Sequence, residues 1–339
     1  MNILYSVIGF IILISILVIG HEFGHFIIAK INGVKVEEFS IGMGPKLGGF
    51  KGKETQYSVR ALPIGGYVKM LGEEEENNDE RSFSTKSPGR KLSIIAAGPI
   101  MNIIIAIALF GIVNKIAGTP IPVISGIEKN SPAAVSGLMK GDKIVKIDNT
   151  KILAYQDVSI AINTAKGSPV NVFYERNGRI NNVTIKPAVE KVGKQNDYFI
   201  GILGSVVKPN FFQAIKAGAV ETWSNVTGTY TVIKQLVMGK GSMNDVGGPV
   251  SIFKLTGMVA KAGVINFLSF MGYISIQLAI FNIIPFPALD GGYIFLYIFE
   301  IVTRKHVDTS KVGYINYIGF VLLMLLMVLV TIKDIVNPI

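Results

Sequence analysis

His21, Glu22 and His25 stand in an otherwise apolar run, LVIGHEFGHFIIAK, at residues 17–30. Ionisable side chains are costly in such a setting and normally carry function there. On a helix, residues four apart project from one face. His21 and His25 can therefore hold one zinc ion through two neutral imidazoles, with Glu22 on the adjacent face able to act on a water. This is the H-E-x-x-H pattern of zinc hydrolases. The plainer reading is a buried polar cluster satisfied by hydrogen bonds.

A catalytic zinc usually takes three protein ligands and leaves one position for water. The chain contains three histidines, and the third, His306, sits in the polar stretch TRKHVD at 303–308. The other candidate is Asp290 in FNIIPFPALDGG at 281–292, where residues 262–289 carry no charge. Two prolines and two glycines there must interrupt a helix. Irregular backbone at membrane depth is tolerated where it faces protein or a watery cavity. Asp290 is preferred over His306 as third ligand. Its rival role is that of a helix cap.

These groups need apolar helices to place them. Half the residues are hydrophobic, and residues 3–20, 92–114, 262–289 and 312–332 carry no charge. Spanning a bilayer takes about 20 predominantly apolar residues, which predicts a polytopic α-helical membrane protein with four transmembrane helices. A signal peptide is the alternative for the first, but it lacks a basic n-region. Net charge is +10, and the lysines and arginines cluster between the first two spans and between the last two. Such loops stay in the cytoplasm, so a plasma-membrane location is expected, with both termini outside. The basic residues flank spans, which argues against nucleic acid as a partner and for the lipid bilayer. With no cysteine, thiol catalysis and Cys-ligated zinc are excluded.

The expected order is a first span with the histidine motif at 1–30, a cytoplasmic-side insert at 31–91 and a second span at 92–116. An extracytoplasmic β-rich domain at 117–206 and amphipathic linking helices at 207–261 follow. A third span at 262–300, a loop at 301–311 and a fourth span at 312–333 complete it. In the insert, QYSVRALPIGGYVKML at 56–71 signals a β-hairpin about Gly65 and Gly66. Asn177-Gly178 marks another hairpin. Apolar residues at 212, 215, 219, 223, 226, 230, 233 and 237 mark one helix face, suited to the membrane interface, to packing on the spans or to an ordinary core. The acidic run at 72–80 reads as a solvated loop. Gly98 and Pro99 loosen the start of the second span. Asn102, a lone amide in an apolar run, either bonds a neighbouring helix or faces the site. Both orientations put His21, His25 and Asp290 near the cytoplasmic side.

With these residues in view, the chain resembles the bacterial site-2 proteases, intramembrane zinc metalloproteases of the RseP and RasP type. The likeness runs nearly end to end: HEFGH at 21–25, FSIGMGPKL at 39–47, GGYVKMLGE at 65–73, AGPIMN at 97–102, SPAAVSGLMKGDKI at 131–144 and NIIPFPALDGG at 282–292. It implies zinc bound by His21, His25 and Asp290, catalysis by Glu22, and Asn282 as a group that holds substrate or stabilises the intermediate. Asn102, Gly65 and Gly66 join Asn282 as candidates for contact with substrate or oxyanion, the two glycines within a β element that presents an edge strand. The stretch at 131–144 resembles a PDZ domain, one here where some relatives carry two. Implied substrates are single-span membrane proteins such as anti-sigma factors, or signal-peptide remnants, cut in regulated intramembrane proteolysis. A PDZ-bearing scaffold with a structural metal, and a metal transporter, are the competing classes. The transporter would need ligands along a path, and the sequence shows one cluster.

Overall fold

The computed structural model describes residues 3–73, 77–192, 195–239 and 247–336. Glu74, Glu75 and Glu76 of the acidic run lie outside them. The chain divides into two compact units, residues 1–106 with 247–338, and residues 107–246. Among the described residues, four helices are long and apolar enough to cross a membrane: α1 (Ile3–Ile31), α2 (Pro88–Ala117), α7 (Val264–Ile283) and, within α9 (Thr309–Val336), Lys311–Val336.

In the first unit α1 is apolar all round, and its inward stripe is visible only in burial. Ser6, Gly9, Leu13, Leu17, His21, Gly24, His25 and Ala29 are the buried residues of that stripe, at helical spacing. Small residues on it admit close neighbours. A β-carbon on Gly24 would meet the Ala97 carbonyl at 2.4 Å, and one on Gly9 would meet Thr256 of α6 (Pro249–Ala262) at 3.2 Å. In lipid, where apolar burial drives little, such close packing is what joins helices.

The insert departs from the expected hairpin. It forms β1 (Val36–Lys51) and β2 (Gln56–Met70), but the stretches flanking Gly65-Gly66 are not each other's partners. Residues 36–41 lie between them, pairing Ile41 with Gly66 and Phe39 with Val68 on one side, and Phe39 with Tyr57 and Ile41 with Val59 on the other. Phe50 returns along Tyr57. Residues 36–41 set Val36, Phe39 and Ile41 among Glu37, Glu38 and Ser40, whereas Gly65, at φ +84°, serves as a bend. The sheet buries Val36, Phe39, Val68 and Met70 against Ala29 and Ile94. Glu38 accepts from Ser58 and Arg60, and Arg60 donates also to Tyr67. That network ties three segments together.

α2 begins at Pro88, and Gly98 and Pro99 lie inside it, so the loosening expected at the start of span two falls in mid-helix. The third apolar stretch is broken as expected: α7 ends at Ile283 and α8 (Asp290–Thr303) begins at Asp290. Gly291 and Gly292 make that turn possible, since β-carbons there would strike the carbonyl oxygens of Ile284 at 2.0 Å and Phe286 at 2.7 Å.

The second unit is β-rich. Its main sheet runs in the order β10 (Ile202–Val207), β3 (Thr119–Ile127), β4 (Lys143–Ile147), β6 (Val170–Arg176), β7 (Arg179–Ile185), with β5 (Thr150–Lys151) beside β4. β8 (Ala188–Val192) pairs with β9 (Gln195–Phe199), and α3 (Pro132–Val135) and α4 (Tyr155–Thr164) complete the domain. Asn177 and Gly178 join β6 to β7 with φ of 52° and 75°, the positive pair a type I′ turn requires. Ile124, Ile144, Ile147, Ile162, Val170 and Val172 form the core, each contributing about 1.5–3 kcal/mol by burial. Asp142 is tied by Arg176 through two bonds of 2.7 Å. α5 (Phe211–Val237) buries Ala214, Gly218, Thr222 and Asn225. It leaves its apolar face open, with Phe212, Trp223 and Tyr230 exposed, so the ordinary core-facing reading of that face does not hold.

Candidate metal centre

The motif helix and the broken helix meet. His21 Nε2 lies 3.0 Å from Asp290 Oδ2, and His25 Nε2 lies 3.5 Å from the same oxygen. The two Nε2 atoms are 3.2 Å apart. Among the described residues these three side chains form the one group of histidine and acidic ligands with atoms close enough to share an ion. Asp290 Oδ2 is buried without a hydrogen bond among the described residues, although a carboxylate oxygen is a strong acceptor. Two imidazole nitrogens and an orphan carboxylate oxygen are the donor set of a catalytic zinc site, and the residues fit the ion.

The surroundings explain how the ligands are aimed. His25 Nδ1 donates to the carbonyl oxygen of Ile94 at 2.9 Å, which leaves the Nε2 lone pair free to take an ion. Pro99 lacks the N–H that would bond the next carbonyl, Ile95, in this stretch of α2. Gly98 floors the site: a β-carbon there would fall 2.3 Å from His25 Nε2. Asn102 is fully buried, with Nδ2 3.3 Å from His21 Nδ1, and Ser275 of α7 donates to its backbone carbonyl at 2.8 Å. Behind Asp290, Ala288 holds φ +70°, and its N–H donates to Asn316 of α9 at 3.2 Å. Asn316 in turn donates to Tyr293 at 2.7 Å.

The remaining candidates fall around this centre. Gly66 lies against Glu22, its notional β-carbon 3.5 Å from Glu22 Cγ and 2.7 Å from the Ser40 carbonyl oxygen. The lack of a side chain lets the strand reach the motif. Gly65 packs on Met43. Asn282 is half-buried in the last turn of α7. His306 is turned elsewhere, its Nδ1 2.8 Å from Glu300 at the end of α8. Sequence reasoning did not find Gly98 as the floor, nor Ser275 and Asn316. Asn316, a lone amide in the fourth apolar run, was the one with a readable signal.

Fold and site together define a zinc metallopeptidase built into apolar helices. The profile of Peptidase family M50 matches residues 9–326, and the chain belongs to that family, the site-2 proteases. It is 49% identical over 339 residues, covering 100% of this chain and 98% of the relative, to a Clostridium acetobutylicum protein provisionally named a zinc metalloprotease. A similarly named Clostridium perfringens protein is 43% identical over the full length of both. Zinc metalloprotease RasP of Geobacillus kaustophilus is 30% identical, with 98% of each chain covered. Among solved structures, the PDZ domain of an SdrC-like protein from Listeria monocytogenes aligns with 26% of this chain and 86% of its own, at 24% identity and a TM-score of 0.21. The protein is a zinc-dependent metalloprotease with four candidate membrane helices.

Proposed function

We propose that this metalloprotease hydrolyses peptide bonds within transmembrane segments of single-span membrane proteins, as a step of regulated intramembrane proteolysis. Anti-sigma factors are the substrate class that the family resemblance suggests, with signal-peptide remnants second. The observation that carries the reading is the place of Glu22. It sits on an apolar helix of 29 residues, beside both histidines and against the backbone of the sheet segment at Gly66.

His21, His25 and Asp290 hold the ion, and zinc when bound supplies Lewis acidity and brings a water's pKa toward neutrality. Glu22 takes the proton of the attacking water and returns it to the leaving amine. Asn282 steadies charge on the scissile carbonyl oxygen. A helical substrate hides its peptide bonds and must unwind locally. Segment 66–70, paired among the described residues with 36–41, offers its outer edge for β-addition, which grips backbone regardless of sequence. Substrates with weak helix formers are therefore preferred.

Lysine-rich loops support termini and β-rich domain outside and the metal centre toward the cytoplasm. That domain acts in the PDZ manner or as a size filter. The exposed apolar face of α5 suits the bilayer surface. Because the chain has no cysteine, single introduced cysteines at residues 179 and 305 report sidedness by impermeant labelling. Label on residue 179 from the cytoplasmic side would reverse the topology. The catalytic reading is tested in proteoliposomes with a reporter transmembrane substrate. Glu22→Gln retains zinc and abolishes cleavage, and cleavage that survives this change removes Glu22 from its role.

A further inference from the structure

We propose that Asn102 is a positioning residue for His21: its side-chain oxygen accepts the Nδ1–H that His21 carries when its Nε2 is a zinc ligand. The proposal rests on the metal centre described above. His21 Nε2 points at Asp290 Oδ2, 3.0 Å away, and at His25 Nε2, 3.2 Å away. A neutral imidazole has one N–H and one lone pair. Committing the lone pair at Nε2 leaves the proton on Nδ1, and a buried N–H needs an acceptor.

The group facing Nδ1 is the Asn102 amide, with Nδ2 at 3.3 Å. A donor would then face a donor. Among the described residues Asn102 Oδ1 is buried with no hydrogen-bond partner, so none of them anchors the amide in that orientation. The two ends of an amide have nearly the same shape. A half-turn about the terminal torsion sets Oδ1 against Nδ1 and converts a repulsive contact into a hydrogen bond. The unpartnered position behind the amide then holds NH2 in place of oxygen.

His25 supplies the parallel within the same site. Its Nδ1 lies 2.9 Å from the Ile94 carbonyl oxygen, a group that can only accept. With Asn102 turned, both ligand imidazoles have an acceptor behind them, the arrangement that fixes tautomer and ring plane in zinc sites. Ser275 Oγ, 2.8 Å from the Asn102 backbone oxygen, fastens the residue from α7 without occupying the amide. Asn102 thus acts through His21 and not on substrate.

The test is the zinc affinity of the purified full-length protein, measured by chelator competition. Asn102→Leu, similar in size but without an acceptor, binds zinc about 10–100-fold more weakly. Asn102→Asp, which keeps an acceptor oxygen, binds as tightly as wild type or more so. Wild-type affinity in Asn102→Leu would overturn the proposal. So would an Asp variant as weak as Leu, since that makes Asn102 a packing residue. If the Leu variant does not fold, Asn102→Ala carries the same expectation. Zinc bound equally well after Asp290→Ala would sink the metal reading itself, a separate outcome.

Discussion

Replacing Gly98 by alanine sets the fold against the site. A β-carbon at 98 would stand 2.3 Å from His25 Nε2, 2.6 Å from its Cε1 and 2.7 Å from His21 Cε1. Ordinary contact begins near 3.4 Å. His25 must therefore retreat by roughly 1 Å or turn its ring, and a misplacement of about 1 Å can cost about 100-fold in rate. That is about 2.7 kcal/mol of transition-state stabilisation. The helix itself gains, since alanine is favoured over glycine in a helix interior by about 0.5–1 kcal/mol. The variant should fold normally, bind zinc weakly and cleave a transmembrane reporter about 100-fold more slowly or worse. Chelator competition and initial rates in proteoliposomes measure both. Gly111→Ala in the same helix is the control, because its β-carbon would meet its neighbours at 3.5–3.7 Å, and it should change neither. A Gly98→Ala enzyme with wild-type affinity and turnover would show that the two imidazoles do not sit over α2 as described.

Three further outcomes follow from the same geometry. Gly319→Leu should weaken zinc binding by about tenfold, because its β-carbon would fall 2.4 Å from Pro287 on the turn before Asp290, whereas Gly313, with nothing within 4 Å, should accept leucine; equal affinities for the two variants would contradict this. Burial opposes ionisation of Glu38, but bonds from Ser58, Tyr67 and Arg60 outweigh it and lower its pKa from 4.5 to about 2. A depressed carboxylate stabilises above its unfolded pKa and ceases to as pH falls through its folded one. Unfolding midpoints of wild type and Glu38→Gln should therefore differ at pH 6 and converge between about 4.5 and 2; a constant gap would refute the network. His306→Ala should leave zinc affinity unchanged, because His306 pairs with Glu300, and loss of zinc in that variant would reopen the ligand set.

The three side chains that meet at the candidate metal centre were legible because their chemistry conflicts with their setting. Two histidines four apart and a lone aspartate are costly in apolar runs unless an ion or a partner engages them, and the prolines and glycines around Asp290 announce a broken helix. The supporting residues carried weaker signals. Gly98 reads as a helix loosener, and its role appears only when α1 crosses α2 at that level. The insert's pairing was misread because alternation marks strands without naming partners, and Gly65-Gly66 supplies a bend as readily as a hairpin turn. The apolar stripe of α5 was visible, but whether it faces protein depends on Gly218 and the small residues of the opposite face, which make the contact instead.

X-ray absorption at the zinc edge of the purified Glu22→Gln enzyme tests the central claim most directly. One zinc per chain is expected, with two imidazole nitrogens at about 2.0–2.1 Å and carboxylate oxygen at about 2.0–2.2 Å. The carboxylate should be lost, together with most of the metal, on adding Asp290→Ala. A spectrum without paired imidazoles, or one unaltered by the Asp290 change, would contradict a zinc centre shared by α1 and α8.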